Sequence, residues 1–428
     1  MDKMNTDPIV WKRNIPVRYT ADVAVLGGGM AGVSAACAAA RAGAKVILIE
    51  KFAVTGGNAT AGGVAAFCGE TAGQGQIFDQ IIADLGAFQA VAPYIAYPQS
   101  DHRLFDHEIL AVVLQELLLR HHVKLLLHTQ FIDVAVSDDG RLTECIVCGK
   151  SGPEALRAKQ FIDCTGEAQV AHMAGFSTVK GRPHDQMQLP MSLMFFVRHV
   201  QEEARVNQVP GGWFKAIRDK EDMPMTTKWP NGPGSNAMKL KIPGFDSTDT
   251  EAATAAEIQA RRRMMEVLDY YQRVEQRPWL LDHCSPQIGI REGRRIVGDY
   301  TLSVEDLRVG RRFDDAIARG VYYLDAHKPD DDKRTYILNN KELKVPPYHI
   351  PFRSLMVKDA RNLLAAGRCL SADQLALSSS RVMTTCSMMG QAAGIAAAAS
   401  VQKQCDPRDL DSLDIRKMVE KRGANLEI

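Results

Sequence analysis

Long apolar runs are missing from this chain. No window of its 428 residues approaches the ~20 consecutive apolar residues that a membrane-spanning helix needs. The stretch Met388–Ala399 is short and made mostly of Ala and Gly, which suits a tightly packed buried helix. Bias of charge is missing too. Lys and Arg number 52 against 51 Asp and Glu, a net charge of +1, so a general attraction to nucleic acid or to anionic membrane is not expected. The segment Met1–Asp7 has no apolar h-region and no cleavage signal, and a cytoplasmic location is expected. The nine cysteines are odd in number and scattered, which does not make a disulfide framework. Cys145 and Cys148 have metal-ligand spacing, but they stand in an apparent strand with no second CxxC. They read as core thiols, and no metal site is expected. Cys164 and Cys386 lack any sign of a paired base. There is no internal repeat and no low-complexity tract.

What is present is concentrated in residues 22–50. Asp22-Val-Ala-Val-Leu26 reads as a strand, Gly27-Gly-Gly-Met30-Ala31-Gly32 as a glycine turn opening a small-residue helix, and Val46–Ile49 as a second strand ending on Glu50. This is the dinucleotide-binding βαβ fingerprint. Gly27 permits the tight turn, Gly29 lets backbone approach a pyrophosphate, and Gly32 lets the helix pack on the sheet. The helix start offers N–H groups and a positive dipole end to phosphates. Glu50 stands 18 residues past Gly32, where it can accept from a ribose 2′-OH.

Further along, Phe78–Leu85 and His107–Leu119 read as helices, the second with Leu110, Val113, Leu114 and Leu117 at helical spacing. Val123–His128 is an expected strand. Phe131–Val136 and Leu142–Val147 form an expected hairpin across Ser137-Asp-Asp-Gly140, and Ala158–Ile162 a strand. Texture changes over residues 183–345, which hold most of the prolines and three of the four tryptophans. There Thr250–Val274 reads as a charged helix whose Arg261-Arg-Arg263 is a solvated face. Asp330–Asp332 reads as a surface loop, since adjacent acids point apart. After Pro351 the compact style returns, with a strand ending at Gly367 and a small-residue helix over Met383–Ser400. The expected fold class is α/β. A Rossmann-like, discontinuous dinucleotide-binding domain spans 1–182 and 346–428, and a mixed α+β substrate or cap domain is inserted over 183–345.

These segments, with Thr55–Gly63, Phe161–Gly166, Leu364–Ser371 and Arg381…Gly394, resemble the ordered signature of FAD-dependent oxidoreductases of the glutathione-reductase-type superfamily. The branch resembled is that of fumarate reductase and succinate dehydrogenase flavoproteins. Ile288–Tyr300 and Pro347–Leu355 resemble a poorly characterised bacterial group of FAD-dependent oxidoreductases. The resemblance implies that Gly27, Gly29 and Gly32 hold the FAD pyrophosphate, Glu50 the adenosine ribose, and Lys51, Gly56, Gly57 and Asn58 the ribose and phosphate edge. It places Phe131 beside the adenine, Thr165 and Gly166 under the cofactor, and Gly367 and Arg368 near the ribityl phosphate. Met383, Thr384 and Thr385 would run along the isoalloxazine. Two departures are visible. Arg368 stands where related chains carry an acid. Asn58 falls in the region where membrane-bound members attach FAD through a histidine, so non-covalent FAD is expected.

Flavin dehydrogenation needs a substrate C–H aimed at N5, a base, and groups that fix the substrate. Arg291, Arg294, Arg353 and Arg381 are candidates, because paired guanidinium forks suit a carboxylate. Arg381 stands 13 residues before Gly394, the spacing of the substrate-carboxylate arginine in the fumarate-reductase-like branch. Arg294 and Arg295 could instead pair with nearby acids such as Glu292 as interface ion pairs. Asp325 and His327, two apart on an extended segment, make a base candidate with its orienting carboxylate. His349 is the alternative, and Glu70 and Gln74 are further candidates. The expected activity is hydride transfer between a small polar, carboxylate-bearing substrate and flavin N5. The electron partner is unspecified, and a homo-oligomer stays open. Two other readings are a flavin subunit of an electron-transfer assembly and an NAD-binding Rossmann enzyme.

Overall fold

The structure is a computed structural model that describes residues 10, 12–200 and 207–428. Val23–Leu26 is fully buried, as befits a central strand covered on both faces. Its strand, Val17–Leu26, pairs in parallel with Val46–Ile49 on one side and Gly152–Asp163 on the other, with Val25 opposite Leu48 and Ile162. Lys124–Leu126 extends the sheet beyond Val46–Ile49. The hairpin Gln130–Val136 and Leu142–Gly149 adds antiparallel to the first half of Gly152–Asp163, and Leu363–Ala365 pairs in parallel with its end. The return segment thus rejoins the sheet that the N-terminal segment began. The fold is mixed α/β, with a parallel βαβ sheet and a separate antiparallel sheet.

Small residues decide how the two central helices pack. Met30–Arg41 lies on Met383–Lys403, and Cβ atoms at Gly390 and Gly394 would overlap the carbonyls of Ala31 and Ala35. A Cβ at Gly32 would overlap the Gly27 carbonyl oxygen, so only glycine lets the helix start close on the turn. Gly27 itself has φ +100°, a conformation that L side chains avoid.

The antiparallel sheet runs Thr226–Pro230, Ser235–Ile242, Met191–His199, Trp279–Cys284. Its strands alternate, as a sheet with two different faces must. Met191, Leu193, Phe195 and Val197, with Met238, Leu240 and Ile242, meet Ala256, Ala260, Met264, Val267 and Leu268 of the helix Thr250–Arg273. Ser192, Lys239, Thr227 and Trp229 belong to the other face and line a cavity. Asp249 caps the helix by accepting the Ala252 N–H at 2.8 Å. Arg261 and Arg263 pair with Glu257 and Glu266, on its charged face. Asp331 accepts the N–H groups of Lys333 and Arg334, as a loop acid does.

Residues of the inserted unit expected over 183–345 divide mainly between two cores. The separate core ends by Ile288. Leu302, Leu307, Ala316–Ala318, Leu324 and Leu343 share the core of the two central helices, and Ala316–Gly320 pairs with Tyr348–Pro351. Among the described residues no helix is long and apolar enough to cross a membrane.

Candidate active site

One cavity of about 700 Å³ runs from the glycine turn to the open face of the antiparallel sheet. Gly27, Gly29, Met30 and Ala31 line it, as do Glu50 and Lys51, Gly56–Asn58 and Phe131. Thr165, Gly166, Gly367, Arg368 and Met383 line it from the other segments. Gly32 lies beneath, as its packing against Gly27 requires. Thr384 and Thr385 do not line it; both are buried, and the Thr384 hydroxyl donates to the Cys68 carbonyl at 3.1 Å. Of the three, Met383 is the one that lines the cavity.

Local chemistry fixes these walls. Glu50 is buried at the strand end; its Oε2 accepts the Gly28 N–H at 2.7 Å and its Oε1 the Phe52 N–H at 3.0 Å. Each oxygen keeps a further lone pair for a ligand. The Lys51 ammonium sits over the Phe52 ring at 5.0 Å. Asp163 is wholly buried, and its carboxylate takes the N–H groups of Thr165, Val170 and Ala171 and the Thr165 hydroxyl, which sets the turn that brings Thr165 and Gly166 to the cavity. Burial raises the Asp163 carboxyl against those bonds. Asn58 donates to the Ile290 carbonyl at 2.8 Å. Cys164 and Cys386 also line the cavity; burial pushes the first thiol well up and the second to about 12, which works against forming a thiolate.

Three observations fit a dinucleotide here. Nothing stands within 4 Å of a Cβ at Gly29, so backbone is open to a ligand. The helices that start at Met30 and Met383 have no side-chain cap, which leaves N–H groups for phosphate or carbonyl oxygens. Arg368 Nη1 is buried without a hydrogen-bond partner, and its guanidinium lies against Gly166. An anion is the partner such an atom calls for.

The same cavity carries a second cluster. Asp325, His327, Arg291 and Arg381 line it, joined by Lys239, Tyr322, Tyr323 and Tyr336. Asp325 Oδ2 accepts from Arg381 Nη2 at 2.6 Å, and its Oδ1 stands 2.9 Å from His327 Nε2. Burial alone would raise the Asp325 carboxyl, but His327, Arg381 and Arg291 outweigh it and hold it well below the carboxylate range. Burial, then the charge of Arg291, pushes His327 down to about 4. The pair is therefore a carboxylate beside a neutral imidazole whose Nε2–H donates to Asp325. His327 Nδ1 then holds a lone pair, and it is buried with no partner. Arg381 Nε and Trp229 Nε1 are buried without partners as well. Arg291 donates to Ser192 Oγ at 2.6 Å and the Pro190 carbonyl at 2.8 Å; burial and the Arg381 charge push it down to about 10. Burial, then Arg291, also lowers Lys239. Three cations thus face one carboxylate, and the site carries excess positive charge.

Linkage gives this imidazole a pH signature. Between about 6.5 and about 4 the unfolded chain binds a proton that folded His327 refuses. Its contribution to stability is present at neutral pH and is lost as pH falls through that window.

Other expected site residues are employed elsewhere. His349 is buried; its Nδ1 accepts the Phe313 N–H at 3.0 Å and its Nε2 donates to the Leu426 carbonyl at 2.7 Å. Both nitrogens are spent on the backbone, so it is no base. Arg353 pairs with Asp315 at 2.9 Å and lies over the Tyr300 ring. Arg294 sits in a two-stranded ladder with Lys180, its Nη2 3.5 Å from the Thr248 carbonyl. Glu70 accepts the Thr71 and Ala72 N–H groups, and Gln74 donates to the Ala72 carbonyl. None of these five lines the cavity. Lys239, Trp229 and the three tyrosines went unread in the sequence. The signal for Lys239 was there: it interrupts the alternation of Met238, Leu240 and Ile242 from the opposite face.

Fold and cavity together define a dinucleotide-binding α/β protein. The family model described as FAD dependent oxidoreductase matches residues 22–421, and the chain belongs to that family of FAD-binding enzymes. No curated protein matches it. Among solved structures it is similar to AlpK, with 13% identity over 90% of this chain and 63% of that one, TM-score 0.46. It is similar to OxyS anhydrotetracycline hydroxylase from Streptomyces rimosus, with 14% identity, 94% and 66% coverage, TM-score 0.45. A geranylgeranyl bacteriochlorophyll reductase-like protein from Thermoplasma acidophilum gives 13% identity, 94% and 83% coverage, TM-score 0.45. The chain thus spans slightly less than two thirds of the first two.

Proposed function

We propose that this FAD-dependent oxidoreductase acts on a small carboxylate-bearing substrate, with FAD held non-covalently. The observation that carries the reading is the set of buried, unpartnered polar atoms on cationic and basic side chains in the cavity that also holds the glycine cradle. An unmade buried hydrogen bond costs about 1–3 kcal/mol; a carboxylate would supply the acceptor that Arg381 Nε lacks, while the His327 Nδ1 lone pair calls for a proton or a donor. Gly27, Gly29, Glu50, Gly166 and Arg368 would hold the cofactor, which when bound supplies the hydride acceptor or donor. Arg381 and Arg291, with Lys239, bind and orient the carboxylate. His327 Nδ1 takes or returns the substrate proton, and Asp325 positions the imidazole. The antiparallel sheet caps this end and excludes water. Asn58 in place of histidine supports the non-covalent reading, and Arg381 supports kinship with the fumarate-reductase-like branch.

The purified protein is expected to be yellow and to release its colour to the supernatant on acid precipitation. Under anaerobic conditions its flavin band should bleach with small carboxylic acids bearing an oxidisable C–H. It should not bleach with their amides or methyl esters. Bleaching by neutral analogues at equal rates would sink the carboxylate reading, and colour retained in the pellet would sink the non-covalent one. With such a substrate, kcat/KM should hold from neutral pH down through 6.5 and fall only near 4, where Nδ1 gains its proton. His327→Gln should keep FAD and lose most turnover. An acid limb at 6.5 in the wild type would remove this imidazole from the reaction.

A further inference from the structure

We infer that His107, Glu108 and His283 form a divalent transition-metal site, of the kind zinc takes, outside the FAD cavity. One ligand atom from each lies within 4.8 Å of the others. None of the three lines the cavity. His107 opens the helix His107–Arg120, and His283 stands on the edge strand Trp279–Cys284. An ion here would tie the dinucleotide unit to the antiparallel sheet.

Ring geometry makes this more than a chance meeting. His107 and His283 both stack on Phe196, with centroids at 4.8 and 4.2 Å and interplanar angles of 11° and 13°. The two imidazoles stand only 5.7 Å apart, so they lie side by side on one face of the phenyl ring. With Zn–N bonds of about 2.0–2.1 Å, two imidazoles on one tetrahedral ion bring their ring centres to roughly 5–6 Å. Phe196 is fully buried and fixes both rings.

The outer shell is also present. His283 Nδ1 lies 3.2 Å from Asp282 Oδ2, and Asp282 Oδ1 pairs with Arg198 at 2.9 Å. A ligating histidine commonly gives its other N–H to a carboxylate; this leaves His283 Nε2 for the ion. His107 Nε2 stands 3.4 Å from Glu108 Oε1, so both point at one place. The helix N-terminus opposes a cation, but Asp106 at the cap, Glu108 and Asp282 bring three carboxylates against it. Two imidazoles and a carboxylate suit Zn²⁺ over Ca²⁺ or Mg²⁺. The remaining position is open to water.

The test is a titration of untagged, FAD-loaded protein, stripped with chelator, with Zn²⁺ by calorimetry and metal analysis after dialysis. One Zn²⁺ per chain is expected. His283→Ala and Glu108→Gln should each weaken binding at least tenfold, and Asp282→Asn on the order of tenfold. The visible flavin spectrum should be unchanged in all three, which reads folding independently of the metal. No stoichiometric Zn²⁺ in the wild type, or equal binding by His283→Ala and Glu108→Gln, would overturn the site.

Discussion

If the substrate is the carboxylate proposed above, Arg381→Met should leave FAD bound and lower kcat/KM for it by a factor on the order of 10²–10³. The size follows from truncating one partner of a buried charge-assisted pair, about 2–5 kcal/mol. Arg381 is fixed on one side by Asp325, through Oδ2 at 2.6 Å and the backbone carbonyl at 3.2 Å. Its Nε is left free and buried. On the reading proposed above, the substrate would meet a guanidinium already oriented, which spares ordering entropy. Arg381→Lys keeps the charge but not the planar fork, and an intermediate loss is expected, seated mainly in KM. Steady-state kinetics with the flavin content of each variant measured by absorbance would check this. Wild-type kinetics in Arg381→Met would take the residue out of the site.

Arg295→Met should cost about 3–5 kcal/mol of folding stability, the range for breaking a buried ion pair by removing one partner. Arg295 is buried and bonded to Glu292, which is buried as well. It also donates to the Ala372 carbonyl at 2.8 Å and the Gly181 carbonyl at 3.0 Å. Glu292 in turn accepts the Leu189 N–H at 2.7 Å and a Gln374 amide N–H at 2.7 Å. One pair thus joins the chain before the inserted sheet, the chain after it, and the return segment. Denaturant unfolding at saturating FAD would measure the loss. The double variant Arg295→Met with Glu292→Met should regain part of it, because no buried charge is then orphaned. Equal stability of single variant and wild type would mean that the pair contributes nothing.

The dinucleotide end was legible because its signals are local. Turn, helix start and acid lie within residues 22–50, and each residue's role follows from its neighbours in sequence. The helix that starts at Met383 was legible for the same reason. In the second cluster Asp325 and His327 were legible as a pair on one extended segment, and Arg291 and Arg381 as candidate arginines. Lys239 and Trp229 come from neighbouring strands that only the register of the antiparallel sheet brings to one wall, and Tyr336 from a loop that bridges to His327. His349 and Arg353 looked available because a sequence does not show what a side chain has already bonded. Their partners, Phe313, Leu426 and Asp315, lie dozens of residues away. Residues of the expected inserted unit divide mainly between two cores, because a change in composition marks where chain texture changes, while packing is decided by which apolar faces remain uncovered.

The antiparallel sheet has one face on a helix and the other on the cavity, and adjacent residues of a strand belong to opposite faces. Along Ser235–Ile242, Met238 and Leu240 pack into the core on the helix while Lys239 between them lines the cavity. The same strand is read in two registers that do not interfere. On the reading proposed above, replacements at the cavity-lining positions Ser192, Thr227, Trp229 and Lys239 would change what the enzyme accepts without touching the residues that pack on the helix. A family built on this scaffold would be expected to diversify its substrates along these alternating positions while the intervening ones stay apolar.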